Sequence, residues 1–278
     1  MQNQFKYVYL LFSAIITNIL VLELLRIKVV SSTLSSFFLG SSYLLCSVFL
    51  LAKNVKILKN INKTYVYPAL WGTVMGTIIV YFYENSGKLN VSDVLISQAI
   101  SPTLGLLIVS GIPTSINIKN LILNNISFIF LVLIVCVKIE TLNIGYSLFL
   151  LILMFTLAQI FLRITSSRLP SNYSYTISGF FIFIITSIRF IFNNEKLSFS
   201  LTYLLIIGVC SVGVFLIQKG YVEGVKNLPS GLSNLLISSG IPISIIYGYF
   251  FNNTSVYLLI LSIGYILSVF YIKFFRRL

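Results

Sequence analysis

Uncharged apolar stretches, most of them about as long as a bilayer is thick, follow one another along the whole chain. Read from charge to charge, they cover residues 7–22, 29–52, 64–83, 94–118, 120–137, 141–162, 169–188, 197–218 and 227–272. An ionised group near the bilayer centre costs about 3 kcal/mol, so charges mark where the chain leaves the membrane. The first eight stretches are close to the ~20 residues that cross a ~30 Å hydrocarbon core at about 1.5 Å per residue. The last is more than twice that length and is interrupted by Asn252-Asn253-Thr254, which divides it into two helices. The first is the shortest and lengthens if Lys6 snorkels to the interface. The pattern predicts an all-α integral membrane protein of ten transmembrane helices.

The chain also matches itself. Ser110-Gly111-Ile112-Pro113 returns as Ser239-Gly240-Ile241-Pro242, inside an eleven-residue match of 106–116 with 235–245 that is identical at nine positions. The copies fall on the fourth and ninth predicted spans. That offset of five is odd, so they cross the membrane in opposite directions. The expectation is two inverted five-helix repeats, residues 1–140 and 141–278, an arrangement that recurs in secondary transporters. Pro113 and Pro242 would each remove a helical hydrogen bond and crowd the carbonyl four residues back. Gly111 and Gly240 would weaken the helix just before them, and Pro102 and Pro229 add a second irregularity to each copy. These six residues are read as helix breaks or hinges. Backbone groups freed at membrane depth must face protein or a wet cavity, which sets both broken helices between the halves.

Composition supports the membrane reading. Of 278 residues 58% are hydrophobic and only 9% charged, against about a quarter charged in soluble domains. On a ten-span layout thirteen Lys and Arg fall on the side of the termini and six on the other, so both termini are expected in the cytoplasm. The net charge of +13 is spread over short loops, densest from Lys53 to Lys63, and does not form the single basic patch that nucleic acid needs. Cys46, Cys136 and Cys210 lie within predicted spans and read as small apolar residues. There is no histidine, and no metal cluster or cofactor motif is seen. Neither a phosphate loop nor a nucleophile motif is present, so the chain is not expected to be an enzyme. No small-residue cleavage site follows the first apolar run, which reads as a retained helix. Usage rich in Phe, Ile, Asn and Lys suggests an AT-rich bacterial genome and hence a cytoplasmic membrane. The expected partners are a small-molecule solute and membrane lipid, with a homodimer admitted and nucleic acid not.

Polar side chains inside a span tend to face a cavity or a partner helix. Asn18, Gln98, Ser101, Gln159 and Asn234 meet that criterion and are candidates for a substrate cavity; for any one of them an interhelical hydrogen bond is the simpler account. Trp71, well inside the third span, could stack on a planar or cationic solute, and Arg163, one turn past Gln159, could hold an anion. Five of the six acids (Glu23, Glu84, Asp93, Glu140 and Glu195) fall at the opposite side from the termini. With none of them deep in a span, facilitated diffusion or exchange is expected instead of a relay through buried acids.

Helix number, chain length, orientation and the positions of Pro113 and Pro242 resemble the drug/metabolite transporter superfamily, in particular its ten-helix members built from two EamA-type repeats. The likeness is carried best by the second half, from the glycine-containing run 204–213 through 218–227 to the proline-bearing ninth helix. The resemblance implies export of a metabolite or drug through a central cavity lined by the first, third, fourth, sixth, eighth and ninth helices. Two other readings stay open: a different five-plus-five transporter fold with crossed broken helices, and a non-catalytic subunit of a lipid or glycan assembly system.

Overall fold

We describe a computed structural model of the chain, over residues 2–29, 31–53, 63–86, 89, 91, 93–98, 100–101, 130, 133–134, 136–137, 145–195, 200–228, 233, 236–237, 239–252 and 256–275. The described residues contain helices and no strand. Six helices are long and apolar enough to cross a membrane. They are α1 (Gln2–Lys28), α2 (Ser32–Lys53), α3 (Val66–Glu84), α4 (Gly145–Arg168), α5 (Ser171–Phe192) and α6 (Leu201–Asn227), and they correspond to the first to third and sixth to eighth predicted spans. The fourth and fifth spans fall largely outside the described residues.

Charges do not end these helices where the charge-to-charge reading stops. α1 runs on through Glu23 and Arg26, whose side chains pair at 3.0 Å three residues apart. α6 continues past Lys219, whose ammonium lies back 5.7 Å from the Phe215 ring centre. Backbone hydrogen bonds are indifferent to a long side chain that folds back along its own helix, so a single charge near the interface interrupts nothing.

The long last stretch does divide. Residues 236–237 are helical, Ser239 is a turn, α7 occupies Gly240–Asn252 and α8 Val256–Phe275. One expectation needs correction. Pro242 does not remove a bond from a helix interior, because it sits in the first turn of α7. The amide of Ile243, next in the chain, donates to the carbonyl of Ser239 at 3.3 Å. First-turn amides have no helical partner in any case, so proline is tolerated there. The break lies at Ser239, whose N–H and hydroxyl both donate to the Leu236 carbonyl, at 3.0 and 2.6 Å.

Helices pair across the chain more than along it. α1 packs on α6, α2 on α5 and α6, and α3 on α5 and α4. Small residues permit these approaches, as expected where lipid offers no hydrophobic drive between helices. A Cβ on Gly220 would stand 2.5 Å from the Leu10 carbonyl, and one on Gly72 2.8 Å from the Ser178 Cα.

The bundle has two polar ends. At one, called here the far end, Arg189 pairs with Glu84. There too, Asn193 donates to Thr33 at 2.8 Å, and the Ser31 hydroxyl donates to both Glu195 oxygens at 2.5 and 2.7 Å. At the near end, that of the α1 N-terminus, Arg168 donates to the Tyr67 hydroxyl at 3.2 Å, and Tyr65 stacks on Tyr173. Between the ends apolar side chains face outward as well as inward, and some polar ones are enclosed. Leu204, Leu205, Val209 and Val212 of α6 face outward, while Gln98, Gln159 and Gln218 are buried. That is what a lipid solvent selects.

Candidate functional site

Asn18 of α1, Gln159 of α4, Gln218 of α6 and Gln98 of the fourth predicted span turn their amides away from lipid to line one interior space. Asn18, Tyr43, Met75, Phe155 and Ile182 each lie nine to eleven residues from the far end of their own helix, a depth of about 15 Å along the helix axis. Together with Trp71, Gln98, Ala158, Gln159, Leu162, Ile217, Gln218 and Tyr221 they wall a cavity with an empty volume of about 540 Å³. Four sequence candidates, Asn18, Trp71, Gln98 and Gln159, are therefore brought to one cavity from four different segments.

Gln98 is the hub of the polar wall. Its Oε1 accepts from Asn18 Nδ2 of α1 at 3.5 Å and from the Tyr221 hydroxyl of α6 at 3.3 Å. The Gln218 Oε1 accepts a weak contact from the Cys46 thiol at 3.5 Å. Two amide atoms of the wall are different: Gln159 Oε1 and Gln218 Nε2 are buried without a hydrogen-bond partner. Leaving such an atom unsatisfied costs about 1–3 kcal/mol, so both are poised to accept a partner. Among the described residues that wall the cavity, none carries a charge.

A second space of about 420 Å³ adjoins it and shares Asn18, Tyr43, Met75, Gln98, Phe155 and Ile217. Its remaining walls are Val21, Leu22, Leu39, Ile78, Ile79, Phe82 and Val94, all apolar and all on the far side of the amides.

The other candidates lie elsewhere. Ser101 is fully buried and off the cavity; its hydroxyl donates to the Ser97 carbonyl and, at 3.3 Å, to that of Ile152 on α4. Arg163 is half-buried one turn past Gln159, towards the near end, and does not form part of the wall. Gly240 is buried at the break before α7, where a Cβ would stand 3.1 Å from Ile15 and 3.2 Å from Leu95. Asn234, Pro102, Gly111, Pro113 and Pro229 lie outside the described residues.

Sequence reasoning missed Tyr43, Gln218 and Tyr221. Gln218 stands beside Lys219 and so reads as the end of a span, whereas α6 continues nine residues further. Tyr43 and Tyr221 look like two more aromatics in a chain with 17 Tyr and 23 Phe. Asp93 and Glu23 also differ from expectation in their burial, since Asp93 is fully enclosed and Glu23 only 8% exposed. Neither belongs to the cavity wall. Among the described residues, no group of three or more Cys, Asp or Glu is placed to hold a metal. No protein-family model matches the chain, and no curated protein matches it either.

Proposed function

We propose that the chain is a secondary transporter of the drug/metabolite type, which moves a small metabolite or drug outward across a bacterial cytoplasmic membrane by alternating access. The observation that carries this reading is the mid-depth cavity, walled by amides and aromatics drawn from helices of both halves of the chain. A solute site at the bilayer midplane, between two halves, is the common plan of such carriers.

The helix pairing supports the inverted repeat. Exchanging α1 with α4, α2 with α5 and α3 with α6 turns the pair α1–α6 into α4–α3, and α2–α6 into α5–α3. It leaves α2–α5 unchanged, and all of these pairs are packed. A common ancestor half, used twice in opposite directions, would produce that correspondence. On this reading the near end, with the N-terminus, is cytoplasmic. The carboxylates Glu23 and Asp93 lie off the cavity wall, which favours facilitated diffusion or exchange over proton coupling. Proton-driven uptake that persists in Glu23→Gln and Asp93→Asn would still contradict it.

The direct test compares metabolites in cells and medium with the protein expressed, absent, and carrying Gln98→Leu. A compound shifted by the intact chain and not by the variant supports transport and identifies the solute. No shift, with the protein folded in the membrane, counts for a subunit that works only with a partner.

A further inference from the structure

We infer that the cavity selects an uncharged solute that carries both a hydrogen-bond donor and an acceptor, as a planar carboxamide or lactam does. The inference rests on the transport reading for its physiological role, but the recognition argument is local. Gln159 Oε1, an acceptor, and Gln218 Nε2, a donor, are buried without partners on two residues that line the same cavity. In this arrangement one lining amide offers an acceptor and the other a donor. A solute that supplies the complementary pair satisfies both atoms at once. A carboxylate offers only acceptors and an amidinium only donors, so each leaves one wall amide unsatisfied.

Charge points the same way. The described wall residues carry no ionised side chain, and Arg163, one turn away, is not part of the wall. An ion entering at this depth would lose its hydration without a counter-charge. The rest of the wall suits an apolar body: Trp71 and Phe155 contribute aromatic rings, and Met75 a pliable thioether.

Trp71 is the chain's single tryptophan and stands in the wall, so its fluorescence reports occupancy without any transport assay. The probes are benzamide, benzoate and benzamidinium, which share one shape and differ in charge and in donor–acceptor pattern. With the purified full chain, benzamide is expected to quench Trp71 saturably in the millimolar range usual for so small a ligand. Benzoate and benzamidinium should need at least roughly tenfold more. Gln159→Leu should narrow the margin over benzoate, and Gln218→Leu the margin over benzamidinium, because each removes the amide that the ion leaves unsatisfied. If a leucine variant does not fold, Gln159→Glu tests the same point, because it should turn the preference towards benzamidinium. Equal or tighter binding of either ion, or no saturable quenching by benzamide, overturns the inference. Flux of benzamide into proteoliposomes is scored separately: binding without flux keeps the selectivity and removes the transport reading.

Discussion

The two adjoining spaces in the bundle share six wall residues yet differ in character. The mid-depth cavity collects Asn18, Gln98, Gln159, Gln218 and the Tyr221 hydroxyl, whereas the far-side space adds only Val21, Leu22, Leu39, Ile78, Ile79, Phe82 and Val94. In a membrane protein, polar atoms are affordable only where something solvates them. On the proposed transport reading, a solute would rest against these amides, and the apolar section beyond them would be the barrier that a polar solute has to part. Closing a path with aliphatic side chains needs no polar bond to be broken each time it opens. At the far end itself, Arg189 with Glu84 and Ser31 with Glu195 join helices from different parts of the chain, so opening on that side would have to separate them.

The same charge placed in the two spaces should expose the difference most sharply. Ile78→Lys puts an ammonium among aliphatic walls and is expected to lower stability by about 3 kcal/mol. Gln218→Lys puts it where amide and hydroxyl oxygens can turn to it, so the loss in thermal unfolding of the purified protein should be clearly smaller. Equal losses would mean that the two spaces do not differ as solvents. Next in size is Gln98→Leu. It strands the donors of Asn18 and Tyr221 and should cost about 1–2 kcal/mol, with loss of any solute flux; unchanged unfolding would remove Gln98 as the hub. The smallest effect is predicted for Pro242→Ala. In the first turn of α7 the proline withholds no bond, so stability should change by less than about 1 kcal/mol. A larger loss would show that the proline, and not the turn at Ser239, makes the break.

Much of the architecture was legible in the sequence because lipid imposes a simple rule on composition. The windows 7–22, 29–52, 64–83, 141–162, 169–188 and 197–218 each lie within or overlap one of α1 to α6, and the split of 227–272 falls between α7 and α8 at the asparagines. The same rule located four cavity residues, since Asn18, Gln98 and Gln159 stand out as polar groups in apolar runs and Trp71 is the only tryptophan. It failed where a charge lies near a span without ending it, as Lys219 does beside Gln218. It also failed for Tyr43 and Tyr221, because a tyrosine at a lipid interface and one donating into a cavity read alike.

The sequence by itself determined that the chain lives in lipid, where its helices run, and that the last long stretch divides at Asn252-Asn253-Thr254. These follow from the cost of charge in hydrocarbon and from local backbone chemistry, and neither depends on neighbours. Only the tertiary structure decided that α1 lies on α6 and α3 on α4. Only there do Gln98, Asn18 and Tyr221 meet, Ser101 spend its hydroxyl on backbone carbonyls, and Gln159 and Gln218 remain open. Which face of a uniformly apolar helix turns inward is set by close fits such as Gly220 on Leu10, between residues 210 positions apart, and no local pattern records that distance.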